Sequence, residues 1–104
     1  MKILTDHQGR AIRLTDERLT HILEHPEMQG MEGRIEETMR SPESVLESFG
    51  DPQARLYYRF YLGTPVGDKH LCVVVRMAEN DAFVLTAYLT SKPAGGRQLW
   101  PKSD

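Results

Sequence analysis

Three runs, Arg55-Leu56-Tyr57-Tyr58-Arg59-Phe60-Tyr61-Leu62, Leu71 to Ala78 and Phe83 to Ser91, set the architecture of this 104-residue chain. Each alternates in the manner of a half-buried strand. Leu56, Tyr58 and Phe60 fall on one side of the first run, and Arg55, Tyr57, Arg59 and Tyr61 on the other. In the second, Leu71, Val73, Val75 and Met77 oppose Cys72, Val74 and Arg76. In the third, Phe83, Leu85, Ala87 and Leu89 oppose Val84, Thr86, Tyr88 and Thr90. Three neighbouring strands can therefore share an apolar face. They can also share a second face that bears Arg59, Arg76, Thr86 and Tyr88. Cations, a hydroxyl and a phenol on one surface are what a phosphate-binding or phosphodiester-cleaving site needs. Register makes a demand here. A three-residue loop, Asn80 to Ala82, pairs Glu79 with Phe83 and Arg76 with Thr86, whereas a four-residue loop puts Arg76 opposite Leu85.

Upstream of these runs the pattern is helical. Thr15 has the character of an N-cap, with Asp16 and Glu17 in the first turn where negative charge suits the helix dipole. Leu19, Ile22 and Leu23 make the buried stripe, and Pro26 ends the helix near His25. A second helix is predicted from Met31 or Glu32 to Arg40, with Met31, Ile35 and Met39 at i, i+4, i+8. Ser44 to Phe49 reads as a strand, because Gly50-Asp51-Pro52-Gln53 then makes a hairpin connection. Lys2–Thr5 and Ala11–Leu14 flank Gly9 as a short hairpin or an ordered lead-in.

The expected fold class is thus α+β, with two N-terminal helices packed on one face of a four-stranded antiparallel sheet. Residues 1–104 form a single domain in this reading. Residues 1–14 are the lead-in, 15–40 the helical part and 44–91 the sheet. Residues 92–104 are a mobile tail with Leu99-Trp100 docked on the body.

Composition sets bounds. A chain of this length holds one core with little margin for a second. Hydrophobic content of 39% and charged content of 27% are those of an ordinary globular domain. The net charge of -2 argues against a general nucleic-acid binder, whose affinity comes from a strongly basic balance. The charge is uneven, however. Residues 1–52 carry 6 Lys/Arg against 11 Asp/Glu, or -5, and residues 53–104 carry 7 against 4, or +3. The basic half is the strand half, which points weakly to an anionic partner. Cys72 is the only cysteine, so no internal disulfide forms, and an apolar strand suits a buried structural thiol. No apolar run reaches the ~20 residues of a spanning helix, and Met1 to Asp6 lacks the apolar region of a signal peptide. The expectation is a cytoplasmic protein without membrane association.

Single residues are open to two readings. His21 and His25 stand at i, i+4 on the first helix and point to one side. The His-Glu-x-x-His zinc motif is absent and no third ligand is evident, so neither a metal nor another cofactor is expected. One histidine could serve as general acid or base; equally, His21 packs against a strand and His25 caps the helix. Arg59 and Arg76 offer planar forks to a phosphate, or pair with carboxylates of the acidic half. Thr86 and Tyr88 could orient the phosphate or move a proton, or reflect β-propensity alone. Tyr57 and Tyr61, which could stack on bases, and Lys69 are the substrate-binding candidates.

The ordered set Ile12-Arg13-Leu14-Thr15-Asp16-Glu17-Arg18, His21-Ile22, His25-Pro26-Glu27-Met28, Ile35-Glu36-Glu37-Thr38, Ser41-Pro42-Glu43, Leu56-Tyr57-Tyr58-Arg59, Phe83 to Thr90 and Leu99-Trp100 resembles the phage-type barnase–EndoU–colicin–RelE-like nuclease group. The resemblance spans about Gly9 to Trp100. It implies helices packed on an antiparallel sheet and a metal-independent ribonuclease. Relatives include toxins of toxin–antitoxin pairs and phage-associated effectors, so RNA as substrate and an antitoxin or other protein as partner are what the resemblance implies. It singles out His21, Arg59, Thr86 and Tyr88, with Arg76 where relatives often carry a basic residue. Where many relatives have Gly-Glu before the last Trp, this chain reads Gly96-Arg97-Gln98, and an acidic role there is lost.

Two functions follow as expectations. The first is a ribonuclease in which a base removes the 2′-hydroxyl proton, Arg59 and Arg76 hold the developing charge, and His21 or Tyr88 transfers a proton. The second is a non-catalytic module that binds a protein or forms a homodimer through the sheet face or an edge strand. An open pocket uniting Arg59, Arg76 and Tyr88 favours the first. Arginines paired to Glu36, Glu37 or Glu47 favour the second.

Overall fold

The computed structural model describes residues 1–102. Thr15 accepts a hydrogen bond from Arg18 N–H at 3.2 Å and so starts the first helix. That helix, α1, spans Asp16–Glu24 and is followed by a 3-10 turn at Pro26–Met28. The second, α2, spans Glu32–Arg40. Met31, Ile35 and Met39 are buried at the expected spacing. The strands are β1 Lys2–Thr5, β2 Ala11–Leu14, β3 Ser44–Ser48, β4 Ala54–Thr64, β5 Gly67–Ala78, β6 Asp81–Thr90 and β7 Gly96–Trp100.

The sheet is not the four-stranded antiparallel one expected from the sequence. It has seven strands in the order β1-β2-β6-β5-β4-β3-β7 and is mixed. The antiparallel β3–β6 meander is its middle. The N-terminal hairpin joins the same sheet, because β2 runs parallel to β6 with Arg13 opposite Phe83. The C-terminal stretch read as a docked tail is a strand on the far edge. There β7 pairs antiparallel with β3, with Glu47 opposite Arg97 and Ser48 opposite Gly96. Gly96 is required there, since a Cβ would lie 2.7 Å from the Glu47 carbonyl oxygen. Both additions rest on pairings between distant segments, which local alternation does not encode.

Both helices cover one face. Ile22, Met28, Ile35 and Met39 pack there with Tyr57, Leu71, Val73, Val75, Val84 and Ala87, and with Leu4, Ile12 and Leu14 from the hairpin. On the other face Leu56, Tyr58 and Cys72 form a smaller buried cluster. The link from β6 to β7 must pass β5, β4 and β3, and it crosses this second face, where Ala94 N–H donates to the Tyr58 hydroxyl at 2.9 Å.

The β5–β6 connection also departs from expectation. Ala78 pairs with Asp81 across a two-residue turn, and Arg76 stands opposite Phe83. A bulge between Val74 and Val75 then shifts the register, so that Thr86 pairs with Val74 and Tyr88 with Cys72. The short turn alone would have turned Thr86 and Tyr88 to the helix side; the extra residue in β6 turns them back.

Candidate functional site

Register distributes the expected residues over both faces. Arg76, Thr86 and Tyr88 share the face away from the helices. Arg59 does not join them, which corrects the shared face drawn from the sequence. Its cross-strand partner is Leu71 in the helix-side core. The odd-numbered residues of β4 therefore point toward the helices, carrying Arg59 with Tyr57 and Tyr61. His21 is on the outer side of α1, 64% exposed, with Nδ1 3.9 Å from Glu24. The sheet separates it from Tyr88. His25 is the C-terminal cap of α1 and is equally exposed.

On the far face Arg76 is occupied at the sheet's end. Its guanidinium reaches Asp51 at 3.3 Å and Gln53 at 2.7 Å. Tyr88 is 37% exposed, and its hydroxyl is pushed up from its ordinary pKa by burial and by the neighbouring Cys72 and Tyr58. Cys72 is buried and its thiol is pushed up by desolvation, so it is a packed thiol rather than a ready nucleophile.

Tyr57 is fully buried. Its hydroxyl donates to Asp6 Oδ2 at 2.9 Å, and burial followed by the Asp6 charge pushes it far above the usual phenol range. It cannot stack on a base. Asp6, buried in turn, also accepts Gln8 N–H at 2.9 Å and Arg10 N–H at 2.8 Å. This carboxylate closes the β1–β2 turn, where Gly9 has φ +81°.

Arg59, Tyr61 and Lys69 do come together, on the helix-side margin of the sheet. Tyr61 and Lys69 are cross-strand partners. The Arg34 and Arg59 guanidiniums lie 4.9 Å and 5.9 Å from the Tyr61 ring centroid. The Tyr61 hydroxyl donates to Glu37 Oε1 at 2.6 Å. Burial, then the Glu37 hydrogen bond, pushes its pKa up to about 12. Arg59 Nε is 3.6 Å from the same Glu37 oxygen, and its Nη1 donates to the Ser41 carbonyl at 2.8 Å. Lys69 Nζ contacts the Ser91 hydroxyl at 2.9 Å. Two guanidiniums thus flank one phenol and one carboxylate, with the Lys69 ammonium held on Ser91 beside them.

Arg34 was missed by the sequence reading, and Glu37 entered it only as a possible arginine partner, not as a site residue. Their i, i+3 spacing on a predicted helix was visible, but which strand residues they would meet was not. Among the described residues no three His, Cys, Asp or Glu side chains gather to hold a metal ion, and no helix is long and apolar enough to cross a membrane. No family model matches the chain, and neither a curated protein nor a solved structure is similar to it.

Proposed function

We propose that this chain is a small metal-independent ribonuclease whose site is the helix-side cluster of Arg34, Glu37, Arg59, Tyr61 and Lys69. The observation that supports this reading is the short Tyr61–Glu37 hydrogen bond set between the guanidiniums of Arg34 and Arg59. The Glu37 carboxylate takes the proton of a ribose 2′-hydroxyl, and the freed oxygen attacks the adjacent phosphorus. Arg34, Arg59 and Lys69 hold the charge that builds on the phosphate oxygens. Tyr61, kept protonated, gives its proton to the departing 5′-oxygen. The products are a 2′,3′-cyclic phosphate and a 5′-hydroxyl. Protonated Glu37 then returns its proton to the Tyr61 phenolate along their hydrogen bond.

The test is cleavage of mixed-sequence RNA by purified protein in EDTA, beside Glu37→Gln, Tyr61→Phe and Arg59→Ala. Each variant is expected to lose about 100- to 10,000-fold in rate while keeping its fold. Undiminished cleavage by Glu37→Gln sinks the assignment.

A second reading has its own support. Arg59 sits near Glu37, Arg97 pairs with Glu47 at 2.8 Å, and the sheet is open at β1 and β7. A binding module that adds a strand from a partner or a second copy at such an edge accounts for these features. Absence of cleavage with concentration-dependent dimerisation in sedimentation would favour it.

A further inference from the structure

The opposite end of the sheet holds a second polar cluster, independent of the ribonuclease reading. Lys69 and Met77 lie eight residues apart along β5, about 26 Å. Around Met77 a cleft of about 500 Å³ opens between Arg10, Arg55 and the β5–β6 turn. That volume is within the ~300–1,000 Å³ range of small-molecule sites. Arg10 Nη1 is buried and has no hydrogen-bond partner among the described residues. Such a donor is costly unless an acceptor is supplied. Next to it the His7 side chain is only 8% exposed, and neither ring nitrogen has a partner among the described residues. Its ring is wedged edge-on against Tyr57 and Trp100, at 5.9 Å and 5.0 Å.

The carboxylates nearby are largely engaged. Asp6 already accepts from Tyr57, Gln8 and Arg10 N–H. Asp81, on the cleft wall, is gripped by both arms of Arg13 at 2.8 Å and 2.6 Å. Glu79 is left against the two guanidiniums of Arg10 and Arg55. The cleft is therefore cationic, with forked donors on its wall and the buried His7 ring behind Arg10. Two forks, one from the β1–β2 turn and one from β4, suit a tetrahedral dianion, which offers more acceptor oxygens than a monocarboxylate.

We infer that this cleft binds a small phosphate-bearing anion, with Arg10 and Arg55 gripping its oxygens. The chemistry is shared by free phosphate and by the phosphate of a mononucleotide.

The experiment is NMR titration of the whole chain with inorganic phosphate, AMP and acetate at matched ionic strength. It follows the Arg10 and Arg55 Nε–H signals and the His7 ring nitrogens. Saturable shifts at these three residues with phosphate or AMP, and not with acetate, are expected. Tighter binding of AMP identifies a nucleotide phosphate, and equal or weaker binding identifies free phosphate. Arg55→Gln should weaken binding roughly ten-fold or more, and Arg18→Gln, on the exposed side of α1, should leave it unchanged. Arg55 makes no side-chain hydrogen bond among the described residues, so its variant tests the site even where Arg10→Gln perturbs the turn. Shifts confined to Arg34, Arg59 and Lys69, equal shifts with acetate, or no saturation would overturn the assignment.

Discussion

Asp6 is excluded from water and accepts three hydrogen bonds, one from a phenol 51 positions away. Charge-assisted bonds of this kind are each worth about 1.5–3 kcal/mol. Tyr57→Phe removes one of them and should lower the melting temperature by roughly 5–20 °C for a domain of this size. Calorimetry measures the loss, and an unchanged midpoint would discount the bond. Protonation gives a second handle. Burial, reinforced by Arg10 and Arg55 against the opposing pull of Asp6, lowers the His7 pKa from 6.5. The unfolded chain therefore takes up a proton that the folded one refuses, and stability drops as pH falls below 6.5. His7→Phe should flatten that acid limb in denaturation curves run at successive pH values. The tyrosines act at the other extreme. Tyr61 moves from 10 to about 12 on folding, and Tyr57 also moves up. Their contribution is whole below pH 10 and is lost as pH climbs toward 12 and beyond. Tyr61→Phe should soften the alkaline limb.

Among the elements, β7 is the most exposed to a single change. Its seat on β3 depends on the close approach of Gly96 to Glu47. Gly96→Ala should cost about 1–3 kcal/mol and release the strand. Trp100, the chain's one tryptophan, would then leave His7, so a red-shifted fluorescence maximum reports the event. A fluorescence spectrum identical to that of the parent would show that β7 tolerates the methyl group. The β5–β6 turn teaches a related lesson. Loop length alone puts Thr86 and Tyr88 on the wrong side, and the bulge restores them. A bulge leaves little trace in an alternating sequence, because the apolar residues on either side of it still alternate.

Taken as a molecule, the chain gathers one group of cations at each end of its central strands, despite a net charge of -2. Local fields, more than the total, govern which anions such a surface attracts. If Arg34, Arg59 and Lys69 each neutralise a phosphate, single-stranded RNA affinity should fall with salt at a log–log slope of about -2, and Arg59→Ala should reduce that slope by about 0.7. Fluorescence anisotropy across a salt series checks both values. A flat response would remove the cluster from RNA binding and turn attention to the open edges of β1 and β7.

The sequence by itself determined the local elements. Thr15 and Pro26 bound α1, the i, i+4 methionines and Ile35 mark the buried side of α2, and period-two alternation marks β4 to β6, since each signal acts between neighbours along the chain. What only the tertiary structure decided was which of those elements meet. Arg13 pairs beside Phe83, 70 positions on, and Glu47 beside Arg97, so a hairpin and a tail become the outer strands of one sheet. The same holds for the candidate sites. Arg59, Tyr61 and Lys69 stood out as residue types, but register, a long-range property, separated Arg59 from Arg76 and Tyr88 and set it among Arg34, Glu37 and Tyr61. His7 and Arg10 looked like turn residues. Packing by Tyr57 and Trp100, from strands far along the chain, is what buries the imidazole beside two arginines.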